Sequence, residues 1–200
     1  SGGLASNYQL PTLNAANALV TINPKTLTLT LTNSGYSQVY DGDAAADITP
    51  AWSFNGFISG DTSATIAYTG RNYNTANVTT ANLITVSGLS ITSVAGGNSS
   101  APEDYVLDST TKTVNATITP KTVSLAVAPK VYDASTDMTG YVSITTGVGG
   151  ETLTYNGATS NDAHVATADK YLNAITLGNA SDGSGGLASN YQLPTLNAAN

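Results

Sequence analysis

Apolar and polar residues alternate along much of this chain, and that alternation predicts β-strands. Leucines alternate with threonines over residues 26–32, and valine or leucine alternates with small or polar residues over residues 123–127. A period of two residues is typical of a strand with one buried face. Each stretch follows a Pro-Lys pair, and proline favours a break or bend there rather than a continuing helix. Further strands are predicted around the pairs Trp52/Phe54, Ile84/Val86, Val142/Ile144 and Ile175/Leu177.

Helical patterning is nearly missing, because glycine, asparagine and threonine are scattered where a helix favours alanine, leucine, glutamate and lysine. Many short strands with frequent turn residues predict an all-β protein. The prediction is two tandem small antiparallel β-sandwich-like modules in an elongated arrangement. The alternative is a pair of β-grasp-like modules with one short helix each, near residues 79–83 or 167–172.

The chain contains an internal repeat. Residues 1–17, SGGLASNYQLPTLNAAN, recur unchanged at residues 184–200. A shorter and diverged period lies inside this one, because SNYQL around Tyr8 is echoed by EDYVL around Tyr105 and by SNYQL around Tyr191. Two sister modules of unequal length therefore form one longer unit, and we expect the parent chain to repeat that unit.

Matching anchors place the module boundaries. Pro24-Lys25 matches Pro120-Lys121 at an offset of 96 residues, and Val39-Tyr40-Asp41 matches Val131-Tyr132-Asp133 at an offset of 92. The difference of four falls within residues 32–38, where a loop shortens easily. The predicted modules are residues 24–119 and 120–200, with residues 1–23 as the tail of a preceding repeat.

Composition excludes several classes of protein. Only 10% of residues are charged, the net charge is −7 and the isoelectric point is near 4.2. This charge repels nucleic acids and anionic membrane surfaces, so we expect neither as a partner. No apolar run approaches the roughly 18 residues of a spanning helix, and we expect no membrane insertion. Cysteine is absent, which removes disulfides and thiol chemistry.

Catalytic residues are not predicted. His164 is the only histidine, and its counterpart in the sister module, Asn77, cannot act as a general base. Glu103 and Glu151 are the only glutamates, and neither has an evident matching pair for acid–base work in the sister module. We therefore expect a protein that is not an enzyme and that needs no cofactor.

Aspartates are the candidate metal ligands. Asp41, Asp43 and Asp61, and separately Asp133 with Asp137, supply the hard oxygen atoms that calcium prefers. The spacing of a calcium-binding loop is missing, and aspartate is common as a turn cap. The favoured interpretation is turn capping, with no metal site.

Aromatic residues offer a candidate glycan platform. Trp52, Phe54 and Phe57 lie close together, and aromatic faces stack on sugars. Because Trp52 and Phe54 align with Val142 and Ile144, the favoured interpretation places them in the core. Phe57, opposite a glycine, is the one left free to be exposed.

Tyr40 and Tyr132 are predicted to be core or corner anchors, so that replacing Tyr132 by alanine costs several kcal/mol. The residue after the following aspartate is Gly42 in one module and Ala134 in the other. A positive φ angle is harder for alanine than for glycine.

A resemblance to a known family is carried by an ordered series of anchors. These are Val39-Tyr40-Asp41-Gly42 with its variant Val131-Tyr132-Asp133-Ala134, then Ser59-Gly60-Asp61, Asn77-Val78, and the closing Ala188-Ser189-Asn190-Tyr191. The series resembles the YDG and MBG type tandem repeats of large bacterial surface adhesins, which are similar to filamentous haemagglutinin and exported by two-partner secretion. Ala134 and His164 depart from the pattern without disturbing its order.

The resemblance implies a secreted or cell-surface, extracellular protein. Its implied role is the structural stalk of an adhesin, which extends an adhesive tip and supports cell adhesion or biofilm formation. The alternative is a module that binds a host or matrix glycan or protein multivalently through its repeats.

One expectation concerns the strand that closes each module. Tyr105 is followed by an apolar strand ending at Ile118, and Tyr8 is followed by residues 18–22, but Tyr191 is followed by only nine residues. We therefore expect the second module to lack its final strand. Residues 18–22 are expected to lie unpaired or to complete the open edge of another molecule by head-to-tail strand exchange. The other expected partners are neighbouring repeats of the same chain.

Overall fold

A computed structural model describes residues 2–198. The described residues form fifteen β-strands and three short 3₁₀ turns, with no α-helix among them. The strands are β1 (Lys25–Leu31), β2 (Tyr36–Val39), β3 (Trp52–Asn55), β4 (Asp61–Ala67), β5 (Gly70–Tyr73), β6 (Leu83–Ser87), β7 (Ser90–Gly96), β8 (Tyr105–Leu107), β9 (Thr111–Thr119), β10 (Lys121–Thr122), β11 (Ser124–Val127), β12 (Val142–Thr145), β13 (Thr154–Ser160), β14 (Leu172–Gly178) and β15 (Tyr191–Gln192). The all-β prediction is confirmed.

Two sheets enclose the core of the first half, residues 24–119. In one sheet, β1 lies between the antiparallel β3 and the parallel β8. In the other, the strand order is β2-β9-β6-β5, with β9 parallel to β2 and antiparallel to β6. The strands β4 and β7 form a separate antiparallel pair.

The buried residues of the first half come from alternate strand positions. Leu27, Leu29 and Leu31 are buried in β1 while the threonines between them are exposed. Every second residue of β9 is also buried, namely Val114, Ala116 and Ile118. Because strand side chains point alternately to opposite faces, each strand contributes one apolar face to the space between the sheets.

The first strands of the second half, residues 120–198, pair in the same register as the corresponding strands of the first half. Leu29 pairs with Phe54, and Leu125 pairs with Ile144 at the corresponding positions. The parallel pair of Lys25 with Tyr105 has its counterpart in the pair of Lys121 with Tyr191. The strands β13 and β14 then form an antiparallel pair. This half contains a smaller buried cluster of Val142, Ala158, Leu172 and Ile175.

The buried core is not divided between the halves. The larger cluster belongs mainly to the first half, but it also includes Val123 and Tyr191 and is contacted by Leu153 and Leu177. Only Pro120 separates β9 from β10. The two halves are therefore joined by continuous apolar packing as well as by the chain.

Two details of the predicted architecture are wrong. The sheets are not purely antiparallel, since β1–β8, β2–β9 and β10–β15 are parallel pairs. Each of these pairs is joined by a long connection, which lets the second strand return in the direction of the first. The short helix of the alternative prediction is not formed, because residues 79–83 make a turn that enters β6 and residues 167–172 make bends that enter β14.

Residues 2–24 pack little against the rest of the chain. They contain a 3₁₀ turn at Ala5–Asn7, and their large apolar side chains are exposed. Tyr8 is 77% exposed, whereas Tyr191, in the second occurrence of the same sequence, is 5% exposed. Tertiary packing, rather than the local sequence, therefore decides the environment of this segment.

Candidate functional site

A carboxylate lies where the two halves meet. Glu151 is in the loop between β12 and β13, and each of its oxygens accepts a hydrogen bond from a tyrosine. Tyr40, of the first half, donates from its hydroxyl to Oε1 at 2.6 Å, and Tyr191, of the second, donates to Oε2 at 2.7 Å. The two rings meet edge to face with centroids 5.4 Å apart. We call Tyr40, Glu151 and Tyr191 the junction triad.

Burial governs the protonation of both tyrosines. Removal from water, with a further contribution from the hydrogen bond to Glu151, raises the pKa of Tyr40 to about 12. The same causes raise the pKa of Tyr191. Both hydroxyls therefore keep their protons at neutral pH and act as donors to a charged acceptor, which is the stronger kind of hydrogen bond.

A pair of asparagines makes a second polar link between the halves. The backbone N–H of Val78 donates to Oδ1 of Asn190 at 3.0 Å, and Nδ2 of Asn190 donates to Oδ1 of Asn77 at 3.0 Å. Asn190 is almost fully buried, so these bonds form away from water. The predicted alignment of Asn77 with His164 thus matches a half-buried asparagine with an exposed histidine.

Gly42 allows the halves to approach closely. Its φ angle is +100°, and a Cβ added there would lie 2.6 Å from Cγ1 of Val148 in the other half. Glycine fits this backbone and this gap, whereas a side chain would strain both. Ala134, the aligned residue, also has a positive φ, of 61°.

The first half contains a carboxylate–tyrosine pair of its own. Tyr105 donates from its hydroxyl to Asp61 Oδ2 at 2.6 Å, as does Ser100 at 2.6 Å, and Asn98 donates to Oδ1 at 3.0 Å. The hydrogen bonds from Ser100 and then Tyr105 lower the pKa of Asp61. Asp61 lies 44 residues before its tyrosine, and Glu151 lies 40 residues before Tyr191.

The sequence reasoning missed this recurrence. A glutamate matching Glu151 is missing from the first half, and the counterpart is instead the aspartate Asp61. The signal was present in the alignment of Gly60-Asp61 with Gly150-Glu151, each ahead of a closing tyrosine. The arrangement fixes loops and joins halves, since the oxygens of both carboxylates are occupied by protein donors.

The other candidate residues lie apart from the triad's hydrogen bonds. His164 and Glu103 are both exposed. The His164 ring lies 6.2 Å from the Tyr132 ring, and its backbone N–H donates to Asp162. The structure does not join either residue to the acid, base and nucleophile of a catalytic set.

Aspartates at the predicted turns accept bonds from backbone N–H groups two residues ahead. Asp43 donates its own N–H to Asp41, and Ala45, Ser135 and Thr139 donate theirs to Asp43, Asp133 and Asp137. These four aspartates have the turn-capping role that the sequence predicted. The same prediction is wrong for Asp61, which lies in β4 and accepts from the side chains of Asn98, Ser100 and Tyr105. Within residues 2–198, no group of three or more potential ligands is arranged to hold a metal ion.

The aromatic trio of Trp52, Phe54 and Phe57 is half-buried. Trp52 and Phe54 contact the larger core cluster, as predicted. Phe57 is half-buried, with its ring centroid 5.5 Å from those of both Phe54 and Tyr105. The free exposure expected for Phe57 is therefore only partial.

Tyr40 and Tyr132 differ sharply. Tyr40 is 3% exposed and is the anchor that the sequence predicted, but Tyr132 is 54% exposed, so its assignment as a core anchor is wrong. The reason is that Tyr40 is covered by the second half, whereas Tyr132 borders an open groove of about 900 Å³. The loss of several kcal/mol predicted for Tyr132→Ala belongs to Tyr40 instead.

Comparisons with known proteins locate one domain. Residues 23–113 match the family model described as the YDG domain, so a YDG domain is detected in the first half. Neither a curated protein nor a solved structure matches the chain. The described residues include no helix that is long and apolar enough to cross a membrane.

Proposed function

We propose that this chain is part of the structural stalk of a large, repetitive bacterial surface or secreted adhesin. The single observation that carries the proposal is the junction triad, in which one carboxylate binds tyrosines from both halves. A junction of this kind keeps successive units mechanically connected. The proposed role is to hold an adhesive tip away from the cell and to support adhesion or biofilm formation.

Repetition supports the proposal at two levels. The registers of β1–β3 and β11–β12 match, as do the first pairs of β1–β8 and β10–β15, and these matches support two tandem modules at residues 24–119 and 120–200. The recurrence of residues 1–17 at 184–200 supports a longer tandem array. In such arrays each unit contacts only its neighbours, and shape follows from the repeated interface.

The junction supports a stiff connection. One residue, Pro120, links β9 to β10, and the halves are also held by the triad, by the Asn77–Asn190 bond and by shared apolar packing. A short linker and a packed, fully hydrogen-bonded interface limit bending between units. A stalk needs this property, because flexible joints would let the array collapse.

The YDG domain at residues 23–113 supports the extracellular assignment. The tandem-repeat adhesins that the sequence resembles place such domains on the cell surface after two-partner secretion. The absence of cysteine agrees with export of an unfolded chain, because no disulfide needs to be avoided or formed.

A linear increase in length would test the stalk. Residues 1–183 can be fused directly to a second copy of residues 1–200, which preserves the natural repeat of 183 residues. Small-angle scattering of one, two and three fused copies should give a maximum dimension that grows in proportion to copy number. A radius that follows compact globular scaling instead would rule out the stalk.

A variant of the fused protein separates stiffness from length. Glu151→Ala in every copy should leave contour length unchanged but lower the apparent stiffness, because the triad is lost. Glu103→Ala, an exposed glutamate, is the matched control and should scatter like the parent fusion. The half-buried aromatic trio favours the stalk over the glycan-binding alternative.

A further inference from the structure

The second half has an open groove where the first half has its central strand. The groove of about 900 Å³ is bordered by residues 128–132 on one side and 170–172 on the other, with Val123, Leu125 and Met138 among its apolar lining residues. In the first half, β9 lies between β2 and β6. Residues 129–132 align with the end of β2 and its following tyrosine at the offset of 92, whereas Ala128 still continues β11, because its N–H donates to the carbonyl of Tyr141.

The pairing of β13 with β14 shows which strand of the first half corresponds to the other border of the groove, residues 170–172. Ala45 bridges to Asn72, and Tyr73 pairs with Ile84 at the start of β6. In the second half, Asp137 bridges to Thr159, and Ser160 pairs with Leu172. Leu172 therefore stands where Ile84 stands, and the space between it and residues 128–132 corresponds to the place of β9.

Residues 18–22 have the sequence that this space requires. They precede Pro24-Lys25 as the end of β9 precedes Pro120-Lys121, so Ala18, Val20 and Ile22 match the buried residues Val114, Ala116 and Ile118 of β9. Leu19 and Thr21 match Asn115 and Thr117, which are exposed. The alternation gives one apolar face for the groove and one face for solvent.

The same segment is unpaired in its own molecule. Val20 is 78% exposed and Ile22 is 90% exposed, and no strand forms between residues 2 and 24. Ile22 lies three residues before Lys25, which opens β1, so it reaches only about 10 Å from that point. The segment is therefore tethered to the first half of its own chain, while the groove lies in the second.

The directions of the backbone N–H groups along the groove's edge also suit an incoming strand. In the first half the N–H of Tyr40 donates to the carbonyl of Thr119, so Tyr36 and Gln38 also direct their N–H groups toward β9, and Ser37 directs its N–H away. Pro129, which has no N–H, aligns with Ser37. The proline therefore removes a donor only on the side that an incoming strand does not use.

The charged side chains at the groove already have hydrogen-bond partners within the protein. Lys130 is paired with Asp133 and donates to the carbonyls of Ser135 and Asp137. Lys170 donates to three carbonyls within residues 164–167, and Asp162 accepts from the backbone N–H of His164. Residues 12–24 carry no charge. An uncharged strand therefore brings no charge of its own into the groove.

We propose that the groove binds residues 18–22 of a second copy of this chain, as a strand parallel to residues 128–132. Each molecule then offers one strand and one groove at different places, so association is head to tail and continues from copy to copy. This inference goes beyond the stalk proposal, because it concerns association between separate chains. Scattering by covalent fusions tests the stalk, and the experiments below test only the strand exchange.

Sedimentation velocity of the full chain tests the association. The weight-average mass should rise with concentration, and Val20→Lys/Ile22→Lys should weaken association by about tenfold or more, since two charges would enter an apolar groove. The matched control is Leu19→Lys/Thr21→Lys, which adds the same charge on the opposite face and should associate within about twofold of the parent chain. Equal behaviour of the two variants, or a parent chain that stays monomeric up to about 0.5 mM, would overturn the proposal.

A peptide identifies the groove directly. A fluorescein-labelled peptide of residues 16–25 should bind the full-length Val20→Lys/Ile22→Lys chain, whose own strand is blocked while its groove is intact. Polarisation should rise with protein concentration for this peptide, and should not rise for the same peptide carrying lysine at positions 20 and 22. Amide exchange of Lys130 and Tyr132, whose aligned residues Gln38 and Tyr40 direct their N–H groups toward β9, should slow when the parent peptide binds. Absence of binding, or binding without that protection, would overturn the proposal.

Discussion

At the scale of single residues, the junction depends on one carboxylate that binds two hydroxyls. Glu151 accepts from Tyr40 at 2.6 Å and from Tyr191 at 2.7 Å, one bond on each carboxylate oxygen. Hydrogen bonds to a charged group contribute about 1.5–3 kcal/mol each, and an unpaired buried donor costs a comparable amount. The stability of the whole chain is therefore sensitive to this one residue.

Glu151→Ala is expected to lower the free energy of unfolding by about 2–4 kcal/mol, because both hydroxyls lose their acceptor. Urea unfolding followed by the fluorescence of Trp52 measures the change. Glu103→Ala is the control and is expected to change stability by less than about 0.5 kcal/mol, as exposed substitutions do. Equal effects of the two alanines would contradict the role assigned to the junction triad.

The triad also predicts a dependence on alkaline pH. The ordinary pKa of tyrosine is 10.0, and folding raises that of Tyr40 to about 12, so the folded state holds the proton more tightly. The associated stability is complete below pH 10 and is lost as pH rises from 10 through 12.

Tyr40→Phe should remove this part of the pH dependence. A rise of about two pKa units corresponds to about 2–3 kcal/mol, so the difference in unfolding free energy between the parent chain and Tyr40→Phe should shrink by about 2 kcal/mol between pH 9 and pH 12. Urea titrations at several pH values measure it. A difference that stays constant across this range would show that Tyr40 is not the titrating group.

At the scale of elements, the edge position of β2 decides which residues tolerate proline. Ser37 is exposed and directs its N–H away from β9, whereas Gln38 directs its N–H toward β9. Ser37→Pro should therefore cost less than about 1 kcal/mol, as Pro129 already stands at the aligned position. Gln38→Pro should lower the free energy of unfolding by at least about 2 kcal/mol more than Gln38→Ala. The alanine variant is the control for loss of the glutamine side chain. Chemical unfolding of the three variants compares them, and similar costs for both prolines would refute the inferred strand direction.

Strand existence followed from sequence, while strand partners did not. The alternation at residues 26–32 and 123–127 predicted β1 and β11, and the alignment of Trp52/Phe54 with Val142/Ile144 matches the observed registers. The parallel pairs were missed because alternation reports one buried face and carries no information on neighbouring strands. Tyr132 was misassigned for a related reason, since burial of its counterpart Tyr40 depends on residues more than a hundred positions away.

At the scale of the whole molecule, two identical sequences adopt different environments. Tyr191 is buried beside Tyr40, whereas Tyr8 is exposed on a segment that packs little. Local sequence is the same in both places, so the difference in stability comes from tertiary partners.

Amide exchange should follow these partners rather than the sequence. Amides of residues 2–17 should exchange rapidly, and the amides of Asn190 and Tyr191 should be protected despite the shared sequence. Lys130 and Tyr132 should also exchange faster than the aligned Gln38 and Tyr40, whose N–H groups face β9. Mass spectrometry of peptides from both regions measures the rates at concentrations where the chain is monomeric, and equal protection of the two tyrosines would contradict the structure.

The position of β9 has a mechanical consequence. This strand is hydrogen-bonded on both sides, to β2 and β6, and it continues through Pro120 into the second half. Tension applied along the chain therefore enters the middle of a sheet and must shear two rows of hydrogen bonds together instead of opening them one after another. A pulled molecule would accordingly yield late and abruptly, and the resistance of the first half to force would exceed what its modest size suggests.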